Sequence, residues 1–139
     1  MESLHYLLMK SQSILSRKIL SEASCLGLTP GQPKILDFLV QYQEADQKTI
    51  AAYCEIEPAT VGSILSRMED SGLVVRKQKN GNRRSLYVSL TDKGNQAAMK
   101  LMEIFQEVEK QATSNFSEEE TQLLKQLLEK LCCSIQKNA

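Results

Sequence analysis

The hydrophobic period changes once between residues 47 and 90, and that change decides what this chain can fold into. Through 47–71 apolar residues recur at three-to-four spacing. Ile50, Ala51 and Cys54 mark a short helix at about 47–54, and Val61, Ile64, Leu65 and Met68 mark a stronger one at about 58–71. Glu55-Ile56-Glu57 forms the turn between them, Pro58 opens the second helix and Gly72 ends it. From Leu73 the spacing becomes extended. Leu73 to Lys79 and Arg83 to Leu90 flank Asn80-Gly81-Asn82, and Leu86, Val88 and Leu90 alternate with Tyr87 and Ser89. Asn-Gly is a strong short-range hairpin signal because both residues tolerate positive φ. Two helices joined by a tight turn form a helix-turn-helix, and the hairpin directly after it sits as a wing.

The flanks are helical. Leu4, Leu7, Leu8, Ile14, Leu15 and Ile19 predict a helix over about 2–26, stopped by Gly27. Thr29-Pro30-Gly31-Gln32 starts another, with Thr29 as N-cap, Pro30 at the first helical position and Gln32 completing a capping box. Gln43-Glu44-Ala45-Asp46 is a polar connector. Thr91 caps a long helix over about 92–113, and Ser117-Glu118-Glu119-Glu120 is a second capping box before a Leu-rich final helix. The fold class is therefore mainly α with a small β wing (α+β). One domain spans 1–139, with a winged helix-turn-helix region at 29–91 and helical dimerisation regions at 1–28 and 92–139. The first helix and the last two are Leu-rich and longer than the middle of the chain needs. In one small domain they would leave apolar surface exposed, and pairing with a second copy would bury it.

Net charge is zero, yet it is unevenly placed. Residues 60–94 hold seven bases and three acids, a difference of +4, whereas 29–59 hold two bases and five acids, −3, and 95–139 hold five and seven, −2. A basic stripe on a neutral protein still suits double-stranded DNA, because phosphate affinity follows local charge. Arg84, just past the hairpin turn, suits a narrow and negative minor groove, and Arg83 and Lys79 suit flanking phosphates. On the helix at 58–71 the outer face is sparse: Pro58, Ala59, Thr60, Gly62, Ser63, Ser66 and Arg67. Small polar residues allow close approach to base edges. Arg67 either reaches guanine or phosphate, or pairs along the helix with Glu69 or Asp70, of which the i+3 spacing favours Asp70.

Other chemistry finds little footing. His5 is the only histidine, the four cysteines have no CxxC spacing, and no His, Cys and carboxylate cluster suits a metal. No acid–base pair or nucleophile motif assembles, so neither a catalytic residue nor a cofactor is expected. No apolar run approaches the roughly 18 residues a membrane helix needs. The opening MESLHYLLMKSQSILSRK lacks the leading charges and apolar run of a secretion signal, so the expected location is the cytoplasm. Cys25 is either a small buried packing residue or an effector- or oxidant-sensing thiol. Cys54 belongs to an apolar stripe, Cys132 and Cys133 point to different sides of one helix, and Tyr6, Tyr42 and Tyr53 are either packing or pocket-lining residues.

Three stretches, GLTPGQPKILDFL, DQKTIAAYCEIEPATVGSILSRMEDSGLVVRK and NGNRRSLYVSLTDKG, resemble the MarR family of winged-helix transcription regulators over about residues 27–94. The resemblance implies a homodimer with a recognition helix at 58–71 and a wing at 73–90. It implies a regulator, typically a repressor, released by a small aromatic or anionic effector or by cysteine oxidation. The family usually places an aspartate two positions before its key wing arginine. Asn82 stands there in this chain and supplies no charge. Members also often carry charged residues where this chain has Ser63 and Ser66, which implies either weaker base readout here or more reliance on DNA shape.

Overall fold

The computed structural model describes residues 1–79 and 82–137, with residues 82–85 described by their backbone only. The expected Asn80-Gly81 turn and the side chains of Arg83 and Arg84 lie outside the described residues. Among the described residues the helices and strands run in order: α1 (Leu4–Ala23), α2 (Gln32–Tyr42), β1 (Glu44–Asp46), α3 (Gln47–Cys54), α4 (Pro58–Asp70), β2 (Val74–Lys79), β3 (Asn82–Leu90), α5 (Asp92–Ala112) and α6 (Glu118–Lys137), with a 3₁₀ turn after α1. The chain divides into two compact units, Met1–Phe105 and Gln106–Ala139.

The first unit holds the hydrophobic core. Ile35, Leu36 and Leu39 of α2, Ile50 of α3, Val61, Leu65 and Met68 of α4, Val74 and Val88 of the sheet and Leu101 of α5 are almost wholly buried. The sheet is antiparallel in the order β1-β3-β2, with Val74 opposite Leu90, Arg76 opposite Val88 and Ala45 also opposite Val88. The 43–46 connector is thus corrected: its last three residues form an edge strand on β3. Ala45 turns inward, and its polar neighbours leave no run long enough to announce a strand.

Two helix starts differ from expectation. Thr29 does not cap α2, and Pro30 is not its first residue. The capping-box bond does form, with the Thr29 N–H donating to Gln32 Oε1 at 3.2 Å. Gly31, at φ 88°, then acts as N-cap, so the helix begins at Gln32 with Pro33 in its first turn. An ideal Cβ on Gly31 would meet Ile64 Cδ1 at 2.5 Å, so the turn presses closely on α4. The first helix ends at Ala23 and continues as a 3₁₀ turn through Ser24–Leu26 before Gly27 at φ 75°.

Asp46 is the N-cap of α3, accepting the Thr49 N–H at 2.9 Å. The Thr49 side chain first and its backbone N–H second hold the Asp46 carboxyl below its ordinary value. A lowered carboxyl stabilises the fold above its unfolded pKa, about 3.9, and loses that contribution as pH falls through the folded value. Asp46→Ala is expected to cost about 1 kcal/mol near neutral pH. The difference from wild type should shrink at about pH 3, as read from urea unfolding at both pH values. An unchanged difference would show that the Asp46 charge is not what caps α3.

Candidate nucleic-acid interface

Helix α4 is amphipathic in the way its sequence requires. Val61, Leu65 and Met68 enter the core, while Pro58, Ala59, Thr60, Ser63, Ser66 and Arg67 are exposed and Gly62 is half-buried. Helix α3 clamps its start: Gln47 Nε2 donates to the Pro58 carbonyl at 2.9 Å. A Cβ on Gly62 would lie 2.8 Å from that same Nε2, so Gly62 leaves room for the Gln47 amide to reach Pro58. Lys34 of α2 donates to the Cys54 carbonyl at 3.3 Å and caps the end of α3. The Cys54 thiol itself is buried, and desolvation pushes its pKa up, which keeps it neutral and unreactive.

The far end of α4 is equally well tied. Leu73 N–H donates to the Met68 carbonyl at 2.8 Å around Gly72, at φ 78°, which closes the helix. Lys93 Nζ donates to the Ser71 carbonyl at 2.7 Å. Thr91 caps α5 by accepting the Gly94 N–H at 3.0 Å while its hydroxyl donates to the Gly72 carbonyl at 2.6 Å. Helix α4, the wing base and the start of α5 therefore meet at one hydrogen-bonded junction.

Arg76, one of the seven bases of residues 60–94, is the side chain that joins the wing to α4. Its Nη2 donates to Ser66 Oγ at 3.0 Å and to the Gly62 carbonyl at 3.3 Å, and its Nε lies 3.9 Å from Glu69 Oε1. The side chain is only 17% exposed, and Nε is buried without a hydrogen-bond partner among the described residues. It fastens strand β2 to the flank of α4. The strand period carried the signal: Arg76 lies two residues after the buried Val74 and so shares its inward face. Glu69 thus faces Arg76, and Arg67 is exposed with no ion pair among the described residues.

On the wing, Lys79 is ion-paired to Glu44 of β1 and lies 4.9 Å over the Tyr87 ring. The Glu44 hydrogen bond holds the Lys79 pKa above its ordinary value, so the ammonium stays charged but partly neutralised. Arg83 and Arg84 occupy β3. Cys25 is exposed in the 3₁₀ turn, which removes the buried-packing reading, and its thiol donates to the Glu22 carbonyl at 3.2 Å. Tyr42 and Tyr53 come together with the buried Phe38, ring centroids 4.9 to 5.5 Å apart, and both tyrosines remain about half exposed. Tyr6 stands on α1 beside Lys10. Among the described residues no helix is long and apolar enough to cross a membrane, and no three His, Cys, Asp or Glu converge for a metal ion.

The arrangement is a helix with an open, small, polar face, braced on one side by α3 and on the other by a basic wing. Comparison with known proteins agrees. Residues 28–86 match the model of the MarR family. The repressor of the homoprotocatechuate degradative operon of Escherichia coli is 33% identical over 107 residues, 73% of this chain and 72% of that protein. A transcriptional repressor, CouR, solved bound to a 23-mer DNA duplex, superposes with a TM-score of 0.85 at 25% identity, covering 94% of this chain and 92% of that one. An organohalide-sensing transcriptional regulator, solved with 2,4-dichlorophenol bound, superposes with a TM-score of 0.79 at 27% identity, covering 94% and 80%.

Proposed function

Because the chain belongs to the MarR family of winged-helix transcriptional regulators, we propose that it is a repressor binding a pseudo-palindromic operator as a homodimer. The observation that carries this reading is the exposed face of α4, small and polar from Pro58 to Arg67 and braced by the wing through Arg76. Each subunit lays that face in a major groove, where Thr60, Ser63 and Ser66 approach base edges and Arg67 meets guanine or phosphate. Arg84 enters the adjacent minor groove, and Arg83 and Lys79 hold phosphates. Lys79 shares its charge with Glu44, which makes it the weaker of the wing contacts.

The dimer rests on apolar surface that the single chain leaves open. Leu4, Leu7, Met9, Ile14 and Leu15 of α1 are exposed, and every described residue of α6 is unburied. A small aromatic or anionic effector releases the DNA; the organohalide-sensing regulator of similar fold holds 2,4-dichlorophenol. Such a ligand acts only by binding the released arrangement of the two recognition helices more tightly than the DNA-bound one. The regulator works in the cytoplasm, with its operator.

Selection from a random duplex-DNA pool with reduced protein tests the reading. The expected product is an inverted repeat with half-site centres about one helical turn apart. Its affinity should fall steeply with salt, and Arg84→Ala should weaken it on the order of tenfold. No enrichment together with no salt-dependent binding would replace this reading with a winged-helix module that binds protein.

A further inference from the structure

The two serines on the open face of α4 have opposite hydrogen-bond polarity, and a wing residue sets one of them. Ser63 Oγ lies 3.3 Å from the Ala59 carbonyl. A carbonyl only accepts, so Ser63 spends its hydrogen inside the helix and turns lone pairs outward. Ser66 Oγ lies 3.0 Å from Arg76 Nη2. A guanidinium has nothing to accept with, so Arg76 donates and the Ser66 hydrogen remains to be placed. The usual internal acceptor for Ser66, the Gly62 carbonyl one turn back, already takes a bond from the same Nη2 at 3.3 Å. A hydroxyl that accepts from a cation also becomes a better donor.

We infer that Arg76 is a positioning residue that sets Ser66 as a hydrogen-bond donor toward DNA, while Ser63 acts as an acceptor. This rests on the reading that α4 occupies a major groove. Ser66 then seeks an acceptor, either a phosphate oxygen or the N7, O6 or O4 atoms of a base edge. Ser63 seeks an exocyclic amine of adenine or cytosine. Neither preference follows from the serine side chain alone, which can donate and accept at any site. Both follow from what lies behind each hydroxyl. Arg76 can hold this role because it is anchored: Glu69 sits 3.9 Å from Nε, and the side chain is largely covered.

The test uses the full-length protein and the duplex enriched from a random pool by wild type, with affinities read by fluorescence anisotropy. Ser66→Ala is expected to lose about three- to tenfold in affinity, and Ser66→Thr, which keeps the hydroxyl, to restore it. Arg76→Met is expected to weaken binding several-fold more in the Ser66 background than once Ser66 is alanine, where only its fastening of β2 to α4 through Gly62 and Glu69 remains to be lost. A merely structural arginine would cost the same in both backgrounds, and that result overturns the inference. If Arg76→Met loses its helical circular-dichroism signal, Arg76→Lys, which keeps one donor, takes its place in the same cycle. A base partner confines the Ser66→Ala loss to one base pair per half-site, whereas a phosphate partner spreads it evenly over all sequences; either supports the donor role. Ser66→Ala binding like wild type, while Arg84→Ala does not, overturns the inference and leaves the DNA-binding reading intact. A wild-type protein that enriches no duplex overturns both.

Discussion

Gly94→Ala is expected to destabilise the fold by about 3 kcal/mol, toward the upper end of what overpacking costs. Alanine in a helix is normally better than glycine by roughly 1 kcal/mol, so the sign of the effect is itself diagnostic. An ideal Cβ at Gly94 would lie 2.0 Å from the Leu73 carbonyl oxygen, 3.0 Å from its carbon and 3.2 Å from Leu90 Cδ2. That carbonyl cannot easily retreat. It accepts the Thr91 N–H at 3.0 Å, and the N–H of the same residue closes α4 on Met68 at 2.8 Å. Relief requires moving α5 away from the junction that joins the recognition helix to the wing.

Gly62→Ala is the natural control. Its Cβ would meet only the amide end of Gln47, at 2.8 Å, and that flexible group can swing aside at the loss of its bond to Pro58. The helix-propensity gain and that lost bond should nearly offset, leaving Gly62→Ala within about 1 kcal/mol of wild type. Urea unfolding of the two variants decides the matter. Equal midpoints for Gly94→Ala and wild type would mean that α5 can move away from the Leu73 carbonyl at little cost.

What the sequence made legible follows the range of the interactions involved. The apolar stripes of α3 and α4, the glycine at the end of α4 and the alternation of β3 arise from residues a few positions apart, and those elements occur where periodicity places them. Strand β1 was hidden because its stability comes from β3, some forty positions away in sequence, and two of its three residues are polar. The start of α2 was displaced because a backbone conformation at Gly31 overrides the Thr29 capping signal while keeping its hydrogen bond. Arg76 was visible only as one more positive charge. Its role depends on two acceptors, Gly62 and Ser66, that lie ten and more positions earlier and become its neighbours only after the wing folds back.

The double variant Leu123→Glu/Leu127→Glu is expected to be monomeric and to bind the operator on the order of a hundredfold more weakly. Both leucines are 53% exposed in the single chain and lie one turn apart on α6. Leu124 and Leu128 are 40% exposed and Ile135 is 64% exposed. A soluble monomer rarely keeps so continuous an apolar face. Glutamate is a good helix former, so the substitutions should leave α6 helical while placing like charges in any two-fold seam. A monomer still carries an intact α4 and wing, but it engages one half-site in place of two. It therefore forfeits roughly half of the about 4–10 kcal/mol that separates specific from non-specific binding. Analytical ultracentrifugation and anisotropy titration on the same sample separate the outcomes. A variant that remains dimeric places the seam elsewhere, with the exposed leucines of α1 the next candidates. A monomer that binds as tightly as wild type would mean that one recognition helix and one wing suffice, and the two-fold operator would have to be abandoned.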